Sequence, residues 1–188
     1  MSKFKRVEDS QTTMSDLMLP SYSNFGGKIH GGHILNLMDQ VAFACASRHS
    51  GHYCVTASVN TVNFLCPVEV GELLIMKASI NYVGNSSMQV GLRVEAENIQ
   101  TGEVKHCNSS YFTMVAKDEN GNKVKVPGLI LDSTDLARRF ARAIIRQNQR
   151  GLRIQQFRDE DFVLSDYLEV FKDQNIEFDD CLLNLKHC

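Results

Sequence analysis

The chain has 188 residues, of which 43% are hydrophobic and 22% are charged, and its formal net charge is −2. This length supports one well-formed core, or one core with an appendage, in a globular protein. The charge argues against a dedicated nucleic-acid-binding protein, and no apolar run approaches the roughly 20 residues that cross a bilayer.

The amino terminus is too polar for a secretory signal peptide, so we expect a cytoplasmic location. The chain has six cysteines and no Cys-x-x-Cys pair. They are therefore expected to be reduced thiols rather than a disulfide framework or a redox site.

A glycine-rich turn followed by a buried helix is the main feature of the first third of the chain. Residues 1–10 are expected to be frayed, residues 12–20 predict a short strand, and residues 20–27 favour irregular backbone. The helix is predicted over residues 33–48, because its apolar residues point in nearly every direction around the axis. Asp39 is its one carboxylate. A charge in an apolar helix is costly unless it has partners or a purpose, so Asp39 is the first candidate functional residue.

Four segments of alternating polarity follow the helix and predict β-strands. They span residues 53–65, 72–83, 88–99 and 103–116, and the turn Gly84-Asn85-Ser86-Ser87 joins the second to the third. Short turns between successive strands indicate antiparallel neighbours with one face against a core. The helix is the only long apolar element available to fill that face. The sequence therefore predicts an α+β fold, with one long helix across a curved antiparallel sheet.

The carboxyl-terminal segment differs in composition from the rest. Between residues 136 and 158 there are seven arginines and no acidic residue, and the arginines up to position 153 fall within a ~120° sector of a helix. Asp132 or Ser133 could cap this basic amphipathic helix, and Gly151 is a candidate for its end. From Asp159 onward the charge is mainly acidic, and one more helix is predicted. We expect two domains, at residues 1–131 and 132–188.

The pattern Asn24-x-x-Gly-x-Ile-His-Gly-Gly-x-x-Leu-x-x-Met-Asp39 resembles the signature of hotdog-fold acyl-CoA thioesterases, in particular the brain-type cytosolic acyl-CoA hydrolases and their bacterial relatives. Further similarity follows in order through residues 62–72, 83–88, 112–121 and 126–127. The resemblance covers about residues 10–130. It implies a hotdog fold and an enzyme that hydrolyses acyl-CoA thioesters to fatty acid and CoA.

The same resemblance implies roles for individual residues. Asn24 would polarise the thioester carbonyl, and Asp39 would act as a general base or as the nucleophile; the sequence does not distinguish these two routes. Helix-terminal N–H groups near Gly31 and Gly32 would assist at the oxyanion. The resemblance also places coenzyme A near Phe64 and near the turn formed by Gly84, Asn85, Ser86 and Ser87.

Helix geometry predicts that the active unit is at least a homodimer. Asp39 lies eight residues beyond Gly31, which is about 12 Å along a helix. Base and oxyanion donors must both approach the same reacting atoms. Two antiparallel helices across a twofold axis would bring Asp39 of one chain to Asn24 and Gly31 of the other. A trimer of such dimers is a further expectation.

Several alternatives stay open at this stage. The chain could be a non-catalytic acyl-CoA sensor, or a hotdog enoyl-CoA hydratase or dehydratase. The arginine helix could be a solvated face, contact another subunit or bind the nucleotide end of CoA. A metal site is not expected from the His-x-x-His spacings at positions 30–33 and 49–52, and no cofactor is expected.

Overall fold

A computed structural model describes residues 3–156, 163, 169–171 and 175–176. The chain divides into two compact units, residues 1–146 and 147–188. The expected domain boundary at residue 131 stays a prediction. The acidic helix predicted after residue 159 lies almost entirely outside the described residues, as do Cys181 and Cys188.

The first unit contains a five-stranded antiparallel sheet and a separate pair of short strands. The strands are β1 (Phe4–Arg6), β2 (Thr12–Leu17), β3 (Tyr53–Val59), β4 (Leu73–Val83), β5 (Ser87–Glu97), β6 (Val104–Lys117) and β7 (Gly128–Ile130). The large sheet has the order β2-β4-β5-β6-β3, with every neighbouring pair antiparallel. All four predicted strands after the helix are present, and so is the one predicted near residue 12.

The central helix, α1, spans Gly31–Ser50 and contacts all five strands of the large sheet. It begins where the His30 side chain accepts a hydrogen bond from the Gly32 amide, and it ends at Gly51, whose φ of 73° is in the left-handed region that favours glycine. Contact with both edge strands, β2 and β3, means that the sheet wraps around the helix. The predicted α+β architecture is confirmed.

Alternate residues of each strand point toward α1 and form the core. On β5, for example, Met88, Val90 and Val94 are fully buried. The opposite side of the sheet, which we call the outer face, carries polar and charged residues. This alternation is what the period-two pattern predicts.

A β-bulge in β4 changes the predicted facing of one residue. The register shifts between Ile80 and Tyr82, so Tyr82 pairs with Gln89 on the outer face rather than continuing the inner row. The extra residue, Asn81, fits because its partner strand has Gly91 there: a Cβ on Gly91 would lie 2.2 Å from Asn81 Nδ2. Strict alternation from Leu74 through Ile80 would keep Tyr82 on the inner face, and this one inserted residue moves it to the other side.

Residues 3–10 are ordered, contrary to the expectation that this segment is frayed. Strand β1 pairs in parallel with β7, which the sequence pattern missed. His49 holds this region, since its buried ring contacts Ser10 Oγ at 3.3 Å and donates from Nε2 to the Pro127 carbonyl at 3.0 Å. Three-residue strands are too short to show a periodic pattern, and their pairing depends on contacts remote in sequence.

Strand β3 is shorter than predicted, because residues 60–65 leave the sheet. This segment still runs beside β6, but side chains of β6 replace part of the backbone hydrogen bonding between strands. Asn108 Nδ2 donates to the Asn63 carbonyl at 2.7 Å, and Ser110 Oγ donates to the Thr61 carbonyl at 3.4 Å. Asn108 and Ser110 are both buried. The β-branched residues of the segment favour a strand, but hydrogen bonds from β6 side chains hold it outside the sheet.

The basic helix, α2, spans Thr134–Gln156 and continues through Gly151. Ser133 caps it, with its hydroxyl accepting from the Leu136 amide at 3.3 Å. The predicted helix and cap are confirmed, whereas a stop at Gly151 is not. In the described part of the chain, neither helix is long and apolar enough to span a bilayer.

Candidate active site

Asn24 lies in an exposed loop that enters α1. The loop is closed by backbone hydrogen bonds from the Asn24 amide to the Lys28 carbonyl and from the His30 amide to the Tyr22 carbonyl, at 2.7 and 2.9 Å. Asn24 Oδ1 accepts from the backbone amides of Gly26 and Lys28, at 2.9 and 3.2 Å. Because both of these contacts use the oxygen, Nδ2 faces away from the loop as a fixed donor.

The two helix-terminal glycines differ in what they offer. The Gly32 amide donates to His30 Nδ1 at 2.9 Å, so it is already used by the helix cap. The amides of His33 and Ile34 both donate to the His30 carbonyl. In the described chain this leaves the Gly31 amide as the terminal donor without an acceptor. Of the two glycines expected to supply oxyanion donors, Gly31 has its amide available, whereas the amide of Gly32 is used by the histidine before the helix.

Phe64 lies against the start of α1. A Cβ on Gly31 would be 3.3 Å from the Phe64 ring, so glycine is what permits the ring to pack there. The ring remains partly exposed. The segment that carries it is held to β6, where the Leu65 amide donates to the Cys107 carbonyl at 2.9 Å. Phe64 and Gly31 thus meet at the start of α1, and the loop that carries Asn24 leads into the same helix end; we call these three residues the loop half-site.

Asp39 lies in the middle of α1 and is half-buried. Its Oδ1 accepts a 2.5 Å hydrogen bond from Thr56 Oγ1 on β3. We call Asp39 and Thr56 the helix half-site. Thr56 is exposed and Asp39 is half-buried, so the hydrogen bond fixes the carboxylate while leaving it accessible.

Thr56 was missed by sequence reasoning, although chain geometry contains the signal. From Asp39 to the end of α1 is about 16 Å at 1.5 Å per residue. A strand that turns back at Gly51 covers about the same distance in five residues at 3.3 Å each, and so reaches position 56. A hydroxyl at that position could have been proposed as the partner of the carboxylate.

The turn Gly84-Asn85-Ser86-Ser87 lies at the other end of the sheet from Phe64. The Gly84 amide donates to the Ser87 carbonyl, and the Ser86 carbonyl accepts from the Ala116 amide. Along β6, the attachment at Ala116 is nine residues from the attachment at Cys107, which is about 30 Å. Within one chain the turn and the loop half-site therefore do not converge.

Within the described residues of a single chain, one face of α1 is left uncovered. Asn36, Gln40 and Phe43 are exposed there, and Asp39 lies on the same side. Phe25, next to Asn24, has 114% relative exposure, which is unusual for a phenylalanine. The two half-sites thus border surface that includes large apolar side chains.

His49, from the second His-x-x-His pair, has a structural role. His49 has a pKa below its ordinary value, because burial disfavours the charged imidazolium, and both of its ring nitrogens have structural partners. Within the described residues, no group of three His, Cys, Asp or Glu side chains is arranged to hold a metal ion.

Comparison with known proteins gives consistent results. Residues 26–103 match the thioesterase superfamily. Protein VdlD of Helicobacter pylori is 45% identical over 144 residues, which are 77% of this chain and 82% of that protein. A solved apo-hexameric acyl-CoA thioesterase superposes with a TM-score of 0.78 at 34% identity, covering 80% of this chain and 97% of its own.

An acyl-CoA hydrolase of Staphylococcus aureus, solved with butyryl coenzyme A, coenzyme A and coenzyme A disulfide, has a TM-score of 0.75 at 27% identity. The match covers 81% of this chain and 93% of that one. Three variants of that hydrolase have also been solved, in which an asparagine, an aspartate or a threonine is replaced by alanine.

Proposed function

This chain belongs to the hotdog-fold acyl-CoA thioesterases of the thioesterase superfamily, and on that premise we propose that it hydrolyses acyl-CoA at composite sites shared by two protomers. Each site combines the loop half-site of one chain with the helix half-site of the other. The observation that carries this proposal is the separation of the two half-sites within one chain, each beside exposed surface.

The residue spacing of the S. aureus hydrolase supports the assignment. In that protein the replaced asparagine and aspartate are 15 positions apart, and the aspartate and threonine are 17 positions apart. Asn24, Asp39 and Thr56 have the same two separations here. These are also the three polar residues that the geometry selects.

The proposed reaction follows from the donors and acceptors at each half-site. Asn24 Nδ2 and the Gly31 amide would stabilise the negative charge that develops on the thioester oxygen. The partner's Asp39 carboxylate, held by Thr56, would take the proton from an attacking water, or attack the carbonyl itself and form an anhydride that water then cleaves. In both routes the C–S bond breaks and CoA leaves as its thiolate. Neither route requires a metal or redox cofactor.

Coenzyme A would extend from the loop half-site along the interface. Phe64 borders the reacting end. The turn formed by Gly84, Asn85, Ser86 and Ser87 belongs to the same composite site only when it comes from the neighbouring chain. Hexameric relatives support a trimer of dimers as the assembled form. A human relative named as cytosolic, 32% identical over 36% of its length, supports the expected cytoplasmic location.

Subunit complementation tests the composite site. We expect Asp39→Ala to lower the rate of CoA release about 10²–10⁴-fold and Asn24→Ala about 10²–10³-fold. Co-expression of the two variants with different affinity tags allows isolation of mixed oligomers. Because one of the two sites in a mixed dimer then has both side chains, an isolated mixed dimer should have about half of wild-type activity, and an unselected random mixture about a quarter.

The turn after β6 offers matched controls. Glu119→Ala and Asn120→Ala remove a carboxylate and an amide that are exposed, and both variants should retain wild-type CoA release. Mixed oligomers no more active than the parent variants would refute the shared site. Wild-type protein that binds long-chain acyl-CoA without releasing CoA would favour the sensor, and formation of enoyl-CoA would favour the hydratase.

A further inference from the structure

A cavity of about 410 Å³ lies between the outer face of the sheet and the first half of α2. This volume is in the range of sites that hold small organic ligands. We call it the basic cavity, because six cationic side chains line it: Lys77, Arg93, Arg138, Arg139, Arg142 and Arg146. It lies on the opposite side of the sheet from α1, and none of the residues of either half-site lines it.

The sheet wall of the cavity is partly neutralised. Glu95 accepts from Lys77 Nζ and from Arg93 Nε, both at 2.7 Å. These hydrogen bonds hold the pKa of the Glu95 carboxyl below its ordinary value, although burial opposes them. One carboxylate therefore balances two cations on this side, and one positive charge is in excess.

The helix wall carries a larger excess. Asp135 pairs with Arg138 and Arg139 at the start of α2. Arg142 forms no ion pair with any carboxylate in the described part of the chain. Arginines one helical turn apart repel each other, so positions 138, 142 and 146 destabilise an isolated helix.

Arg146 is held without a counter-charge. Its guanidinium donates to Gln89 Oε1 at 2.8 and 3.2 Å and stacks on the Tyr111 ring at 3.5 Å. Burial lowers its pKa, and the nearby charge of Arg142 acts in the same direction. The described structure thus orients a partly buried cation toward the cavity by a neutral amide and an aromatic ring.

The six cations have two described carboxylate partners, which leaves four positive charges around one concave space. From this we propose that the basic cavity binds a small anion that carries two or more phosphate groups. Guanidinium groups bind phosphate oxygens bidentately, and bound phosphates would relieve the repulsion among the arginines. A single phosphate would fill only a small part of the volume. The polar residues Thr12, Ser79 and Ser109 also line the cavity.

Binding can be measured without turnover, so this test is separate from that of the proposed function. Titration calorimetry with inorganic pyrophosphate on the full-length protein should show saturable binding that weakens as salt is added. The charge-reversal variant Arg142→Glu should weaken it at least about tenfold. Because Arg142 is exposed, this change should leave the fold intact. Lys125→Glu is the matched control, since Lys125 is exposed and does not line the cavity.

A second pair of variants approaches the cavity from the sheet. Thr13 is an exposed residue of β2 that lines the cavity and pairs in register with Lys77. Thr13→Glu places a carboxylate at the rim and should also weaken pyrophosphate binding, whereas Thr13→Gln, which introduces a side chain of nearly the same size as glutamate, should not.

Competition experiments identify the source of the phosphates. If free CoA displaces pyrophosphate at lower concentration than ADP does, the ligand is the reaction product or its substrate; if ADP is the stronger competitor, it is a free nucleotide. The proposal is overturned if wild-type protein does not bind pyrophosphate, or if Arg142→Glu binds it as the wild type does. A change of oligomer mass in Arg142→Glu, with unchanged affinity, would show instead that this face contacts another copy of the chain.

Discussion

The two faces of the large sheet are formed by adjacent residues of the same strands but differ in polarity and packing. On β6, Phe112 points to α1 and is 1% exposed, whereas its neighbour Tyr111 lies on the outer face under Arg146. The inner face is closed by apolar packing and supports the helix that carries Asp39. The outer face contains a polar, positively charged cavity. One period-two pattern thus serves a catalytic helix on one side and, in our proposal, an anion site on the other.

The inner face of the sheet contributes mainly to stability, whereas the outer face offers surface for binding. Interior packing is intolerant of changes in volume, so the inner face has little freedom to acquire new ligands. The outer face carries charged side chains that retain access to water, such as Lys77 and Arg93, and these positions can vary more freely in charge.

Alanine substitutions at Phe112 and Tyr111 should lower the free energy of unfolding by very different amounts. Phe112→Ala is expected to lower the free energy of unfolding by about 3–5 kcal/mol, because it leaves a cavity against α1. Tyr111→Ala should lower it by less, about 1 kcal/mol, since the Tyr111 ring stacks mainly on one guanidinium. Urea denaturation measures both, and equal costs would refute the contrast between the faces.

Acid should weaken the outer face through Glu95. The pKa of this carboxyl is held below its ordinary value of 4.5 by hydrogen bonds from Lys77 and Arg93. Its contribution to stability is therefore present above pH 4.5 and is lost as the pH falls below that value. The difference in stability between wild type and Glu95→Gln should shrink over this range. A difference that stays constant with pH would show that the ion pairs contribute nothing.

The smallest expected effect is a difference in thiol labelling rates, which tests how well the inner face is protected from solvent. Burial raises the pKa of Cys45 to about 12, although Arg48 opposes the shift. In native protein at neutral pH, Cys45 should react with an alkylating reagent more slowly than the half-buried Cys66, as peptide mapping by mass spectrometry can show. Labelling in denaturant, where the two should become similar, is the control.

Much of the fold was predictable, because long periodic segments record which side of an element is buried. The buried helix and the strands around it have strong patterns, and Gly51 ends the helix where a left-handed residue is needed. The pattern could not reveal the bulge at Asn81, which depends on the space beside Gly91. Nor could it reveal β1 and β7, whose pairing joins residues more than a hundred positions apart.

The candidate site divides in the same way. Asn24, Gly31 and Asp39 were identifiable from residue type and spacing. The cap that uses the Gly32 amide, the hydroxyl of Thr56 beside Asp39 and the distance between Phe64 and the Ser86-Ser87 turn required atomic positions.

Residue order alone accounts for the alternating polarity, for the single buried helix with its one carboxylate and for the run of arginines near the carboxyl end. Which residues meet depends on how these elements pack in three dimensions. The first half of α2 lies on the outer face, so that arginines one helical turn apart face Lys77 and Arg93, which lie on two adjacent strands far from α2 in the sequence. Charges separated by dozens of residues become neighbours only when packing against the sheet orders the helix that carries them.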